Sequence, residues 1–320
     1  MTTTDLAALA PALAPTSTRA VPPEVLRTRK RRARRNVWWV LFFLAPSAIP
    51  LIAFTLAPMI GSAWVSLHKW NLISPMQWVG LDNYVKLFSD PTTRRVFGHT
   101  LLYIAGYLPL VYIGGLALAV ALNQAFRGRN FFRAAYFLPV VTSWVVVALV
   151  WQWLLNPNSG LVNQVLGFFN LPEPGWWTDP SWSLASVILA SAWKDLGFVM
   201  VILLAGLQSI PAEVQEAARV DGANAWQRFR LITLPLLSPS TFFVLVISLV
   251  NGFQVFDQVF VMTGGGPAGS SQVVVGQIYD LTFRYGRAGE ASALSWMLFA
   301  VILAITAIQL RGQKKWVVHA

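Results

Sequence analysis

The chain contains no cysteine. That excludes disulfides, thiolate metal sites and a thiol nucleophile, and it leaves redox chemistry silent about the compartment. Charge is scarce too. Only 12% of the 320 residues are Asp, Glu, Lys or Arg, against ~25% in an ordinary soluble domain. The three histidines, His68, His99 and His319, are too scattered to form a metal or catalytic cluster. HExxH, GxSxG and a Walker A lysine motif are all missing. Zinc hydrolysis, a serine-nucleophile elbow and nucleotide binding are therefore not expected of this chain.

What fills the sequence is apolar: 56% hydrophobic residues and a mean hydropathy of +0.56. Several apolar runs reach the ~20 residues that a helix needs to cross a bilayer. The expected fold is all-α and integral to the membrane, with six transmembrane helices at about 37–60, 99–122, 134–155, 184–207, 241–262 and 291–310. Trp38 and Trp39 fall at the membrane interface of the first. These spans form a domain over 36–320. Residues 1–35 precede it as a cytoplasmic tail, low in complexity and rich in Ala, Pro and Thr to residue 26 and basic from Arg27 to Arg35. No cleavable signal peptide is apparent, because the first apolar run is too long for one.

The net charge of +11 raises nucleic acid as a partner, and its placement argues against it. With both termini inside, seventeen of the 24 Lys and Arg residues fall on inner segments and six on outer ones, with Lys194 alone in a span. A basic excess on the cytoplasmic side is what sets topology in membrane proteins. Contact with membrane lipid, not with nucleic acid, is expected.

Polar groups inside spans are costly and usually face a cavity or another helix. Span 4 carries Lys194 and Asp195, followed by Phe198. Span 5 carries Ser248, Asn251, Gln254 and Asp257 at intervals of three, which forms one polar stripe on a helix. Such a stripe suits exchange of hydrogen bonds with hydroxyl groups, and Trp193, Phe198, Phe253 and Phe256 offer stacking faces. The plainer reading is interhelical glue, with Lys194 paired to Asp195 or Asp257. The run Thr263-Gly264-Gly265-Gly266-Pro267 lacks the Gly-Lys-Ser/Thr ending of a phosphate loop and reads as a turn.

The one long polar interval between apolar runs in the second half is 209–239. Pro211 opens a short helix and Asp221-Gly222 stops it. A second short helix from Ala225 to Ile232 precedes Pro235 and Pro239. Glu216-Ala217-Ala218, then Gly222, then Ile232-x-Leu234-Pro235 resembles the EAA signature of ABC importer permeases. Gly206-Leu207-Gln208-x-Ile210-Pro211, Asp221-Gly222-Ala223 and the outer Gly80-Leu81-Asp82-Asn83-Tyr84 narrow the resemblance to the carbohydrate-uptake branch, the maltose and glycerol-3-phosphate type.

The resemblance implies a type I importer permease of the bacterial cytoplasmic membrane, with 208–238 as a cytoplasmic coupling loop. Glu213, Glu216, Ala217, Ala218, Asp221, Gly222, Ala223, Ile232, Leu234 and Pro235 then couple it to a separate ATPase. Lys194, Asp195, Phe198, Ser248, Asn251, Gln254 and Asp257 become candidates for a sugar path. No metal site, catalytic residue or cofactor is expected in this chain, ATP and magnesium residing on the ATPase. The implied partners are two ATPase subunits, a second and different permease, and an extracytoplasmic sugar-binding protein. The cargo implied is a di- or oligosaccharide, with glycerol-3-phosphate or another polyol as the alternative. An ion-coupled transporter using Lys194, Asp195 and Asp257 as a proton relay is the rival from another class. It calls for an internal repeat, and none is visible.

Overall fold

The structure, a computed structural model, describes residues 40 and 42–317. The expected tail, its basic block, Trp38, Trp39 and His319 lie outside the described residues. The chain divides into two compact units, one up to Gly61 and one from Ser62 onward. The described part of the first is helical and belongs to α1 (Phe42–Ser66). Its side chains from Phe42 to Gly61 are largely exposed, as suits a helix whose solvent is lipid.

In the second unit a two-residue ribbon, β1 (His68–Lys69) against β2 (Gln77–Trp78), precedes α2 (Asp82–Ser89). The long α3 (Pro91–Asn123) follows. Pro91 sits where a missing N–H is harmless, and the Asp90 carboxylate accepts the Thr92 and Thr93 N–H groups at 3.1 Å each. Those bonds start the helix eight residues before the expected 99.

The third expected span is two helices, α4 (Arg129–Val141) and α5 (Trp144–Leu154), bent by 102°. Thr142 and Ser143 between them are extended, with ψ of 143° and 140°. Next come α6 (Leu161–Phe168), in the loop after α5, and α7 (Ser183–Gln208). Then follow α8 (Ala212–Val220) and α9 (Ala225–Leu236), the latter bent by 64° from α10 (Ser238–Phe253).

The fifth expected span also breaks. The α10 helix stops at Phe253, and α11 (Asp257–Met262) begins after three intervening residues. At the turn after it, Gly264 and Gly265 have φ of +59° and +82°, backbone that favours glycine. The unit closes with α12 (Val274–Tyr279) and α13 (Ala288–Trp316). Among the described residues, four helices are long and apolar enough to cross a membrane, and up to six spans result when each bent pair is taken as one.

The core sits where α3 packs along α7. Ile188, Leu196 and Val199 of α7 lie against Gly106, Gly114 and Gly115 of α3, where no side chain keeps the backbones apart. Small residues drive close packing in membranes, where lipid supplies no hydrophobic force between helices. Gly197 takes the backbone of Tyr136 in the same way and draws α4 onto α7.

Candidate functional site

The α4–α5 break and the α10–α11 break both border a cavity of about 360 Å³. Asp195 of α7 lines it, with Asn251 from the end of α10, Gln254 from the break and Asp257 from the start of α11. Irregular backbone at membrane depth is tolerated where it lines a water-filled space. The expected continuous stripe is thus corrected. Asn251, Gln254 and Asp257 share the cavity because the helix ends between them, and Gln254 is the residue that terminates α10.

Four aromatic side chains complete the wall: Tyr103 and Tyr107 of α3, Trp144 at the start of α5, and Phe256. The Tyr107 hydroxyl donates to the Asp195 carboxylate at 2.8 Å. Tyr103 and Tyr107 stack with centroids 5.4 Å apart. Gln258 donates to both the Tyr103 hydroxyl and Ser191 Oγ, each at 3.4 Å. Carboxylates, amides and ring faces together are what a polyhydroxylated ligand needs, hydrogen-bond partners around its edges and flat apolar faces beside it.

Lys194, Phe198 and Ser248 are not among the lining residues. Lys194 is buried, and its Nζ donates to the Val140 carbonyl at 3.0 Å and lies 4.7 Å from the centre of the Trp144 ring. A helix end leaves carbonyls without partners, and a cation there also complements the helix dipole. Lys194 therefore caps α4 at its break, and among the described residues it forms no ion pair with Asp195 or Asp257. Phe198 packs against the hydrophobic core, and Ser248 is buried. Of the expected stacking residues, Phe253 is buried and Trp193 meets Trp151 edge to face, while Phe256 reaches the cavity.

Tyr103, Tyr107, Trp144 and Gln258 were not among the expected site residues. The spacing of the two tyrosines, one helical turn apart on one face of a span, was the available signal.

The polar interval between α7 and α10 folds as a hairpin. At the end of α8, the Ala223 N–H reaches the Ala218 carbonyl at 3.0 Å and the Gly222 N–H reaches the Arg219 carbonyl at 3.1 Å. This paired closure needs left-handed backbone between its two bonds, and Gly222 supplies it with φ +79°. The Asn224 side chain then starts α9 in a reciprocal box with Gln227, both bonds 2.8 Å. Arg228 donates to the Ala223 carbonyl at 2.7 Å, and Gln215 donates to Thr233 Oγ1 at 3.2 Å, tying one arm to the other.

Glu213, Glu216, Ala217, Asp221 and Gly222 are exposed, and Ala223, Ile232, Leu234 and Pro235 are half-buried. Ala218 is buried within the chain. Its neighbour Ala217 stays exposed. Val220 is 88% exposed, Leu231 68% and Trp226 65%, large apolar groups left open on the hairpin.

Comparison with known proteins agrees with this architecture. Residues 111–313 match the family described as binding-protein-dependent transport system inner membrane component. The probable ABC transporter permease protein YurN of Bacillus subtilis is 35% identical, across 84% of this chain and 94% of its own length. The trehalose/maltose transport system permease protein MalF of Thermococcus litoralis is 32% identical, across 84% and 91%. Among solved structures, a chain of a bacterial alginate ABC transporter, in complex with an alginate pentasaccharide-bound periplasmic protein, superposes with a TM-score of 0.77. It is 27% identical, over 89% of this chain and 96% of that one. With its cavity, hairpin and apolar helices, the chain is a multi-pass membrane protein and belongs to the family of binding-protein-dependent transport system inner membrane components.

Proposed function

We propose that this chain is the permease subunit of an ATP-driven importer for a carbohydrate, and that the cavity between α3, α5, α7 and the α10–α11 break is part of the sugar's path. The observation that carries the reading is the lining itself, two carboxylates and three amides facing four aromatic rings, in a family whose relatives include permeases named for trehalose and maltose and for multiple sugars. Hydroxyl groups exchange hydrogen bonds with the former, and sugar ring faces rest on the latter.

In this proposal the 208–238 hairpin lies in the cytoplasm and docks on an ATPase subunit. The exposed Val220 and Trp226 give an aliphatic and an aromatic anchor of the kind that dominates protein interfaces. Glu213 and Glu216 offer carboxylates for charge-assisted contacts at the rim. A pair of such ATPase subunits holds the ATP and magnesium, a second and different permease completes the pathway, and an extracytoplasmic binding protein delivers the sugar. Both termini are cytoplasmic, consistent with the seventeen-to-six distribution of basic residues. A proton relay through Lys194 is disfavoured by its engagement with a backbone carbonyl rather than with an acid.

The test is uptake of labelled oligosaccharides by cells expressing the chain with the genes beside it. Uptake is expected to need the binding protein and a functional ATPase, and a periplasm-only reporter fused after Lys315 is expected to stay silent. Uptake that survives loss of ATP hydrolysis and collapses with the proton gradient overturns the proposal.

A further inference from the structure

The charge of the cavity carries a statement about cargo that the family leaves open. Its wall holds the Asp195 and Asp257 carboxylates, and among the described residues no lysine or arginine lines it. The nearby cation, Lys194, acts electrostatically on Asp195 without forming a salt bridge, and its Nζ is turned to the Val140 carbonyl and the Trp144 ring. Asp195 has a single neutral donor, the Tyr107 hydroxyl, and Asp257 is exposed to the cavity. Asn251, Gln254 and Gln258 add dipoles and no charge. Two like charges beside a space bounded by low-dielectric walls focus a negative potential into it.

Resting on the reading of this cavity as the path, we infer that the permease selects by charge: it passes saccharides that are neutral or carry amino groups and rejects those bearing carboxylate or phosphate. On this chain's side of the path an entering anion meets both carboxylates and, among the described residues, no basic side chain, so its lost hydration is not replaced there. Neutral hydroxyls donate to the carboxylates and amides, and an ammonium group gains most. The fold does not decide the matter. The similar chain with a TM-score of 0.78 comes from a transporter involved in the import of the acidic polysaccharide alginate. This is a specificity built from repulsion as much as from attraction, and it excludes glycerol-3-phosphate and uronic-acid oligosaccharides as cargo.

The absence of cysteine makes the potential measurable. Asn251→Cys and Gln254→Cys each place one thiol in the cavity of the assembled transporter in membrane vesicles. Labelling of this chain by a trimethylammonium methanethiosulfonate and by its sulfonate counterpart is followed, and the rate ratio is compared with that of free 2-mercaptoethanol. The ratio is expected to favour the cationic reagent at least about tenfold over the free thiol, and to fall toward the free-thiol value when Asp195→Asn and Asp257→Asn are added. Asp257→Asn alone, which leaves the Tyr107 bond untouched, is expected to produce part of that fall.

A ratio at or below the free-thiol value, a ratio indifferent to the asparagine substitutions, or no labelling at either position overturns the inference. None of these readings depends on which solute is imported, so failure here is distinct from failure of the importer proposal, which ATP-dependent uptake reports.

Discussion

The hairpin and the cavity are built on opposite plans. The hairpin's cap and box join residues three to five apart, and its one longer tie, Gln215 to Thr233, spans 18. The cavity's bonds join residues far apart in sequence: 88 from Tyr107 to Asp195 and 155 from Tyr103 to Gln258. One is a local motif that any stretch of chain with the right residues forms. The other exists only when three or four helices have found their places. The difference predicts how each fails.

The largest effect is expected from the hairpin. Gly222 has open space around it, so the strain of a β-carbon comes from its φ of +79° and not from a collision. Left-handed backbone costs an L-residue about 1–3 kcal/mol, and a β-branched one most. Gly222→Val is expected to leave the protein inserted in the membrane while abolishing uptake and co-purification of the ATPase. Normal uptake by this variant would remove the hairpin from the coupling role.

The cavity should fail differently. Asn251→Ala is expected to reduce uptake about tenfold or more, the loss of roughly one hydrogen bond to cargo with a donor or acceptor left unpaired, while ATPase co-purification is unchanged. If Asn251→Ala also sheds the ATPase, the two regions are not independent. A smaller effect sharpens the contrast within one helix. Lys194→Met removes the cap on α4 and is expected to lower the thermal stability of the purified protein by about 1–2 kcal/mol, without changing which sugars compete for uptake. An altered sugar preference would return Lys194 to the path.

The smallest effect lies outside both regions. Asp90→Ala removes the cap of α3 and is expected to cost about 1 kcal/mol, with uptake intact. Burial pushes the Asp90 carboxyl up, and its bonds to Thr92 and Thr93 outweigh this and hold it below the usual carboxylate range. Because its folded pKa is the lower one, its stabilisation is complete above the ordinary carboxylate pKa and is lost as pH falls through the folded value. Melting of wild type and Asp90→Ala should therefore converge in acid, and a difference that persists there assigns the effect to something other than the charge.

The same contrast explains what was legible in the sequence. The helix stop at Gly222 is a local property, so the residues alone pointed to the hairpin and its turn. Which alanine of the pair Ala217-Ala218 is buried was not legible, because it depends on how the loop folds around them. In the cavity, the three-residue spacing of Asn251, Gln254 and Asp257 picked out side chains that share one lining, through a continuous helix that is not there. Nothing in the local sequence from Asn251 to Asp257 marks the break with a proline. Tyr103, Tyr107 and Trp144 sit in apolar runs where an aromatic residue is unremarked until packing shows what it faces. The bend after Val141 follows Pro139 by two residues, yet Pro109 lies inside an unbroken α3. Proline alone therefore did not locate the kinks, and the role of Lys194 depends on a carbonyl exposed only by that bend.

The closure of the hairpin's hydrogen bonds upon itself has a consequence for how such a protein diversifies. Arg228, Asn224, Gln227 and Gln215 all find their partners inside 208–238. Substitutions around Asp195 or Asn251 therefore disturb none of its polar contacts. The hairpin can be inherited as a cassette while the cavity is rewritten, or exchanged to suit a different motor while the cavity is kept. In the roles proposed for the two regions, cargo and engine are free to evolve on separate schedules within one chain.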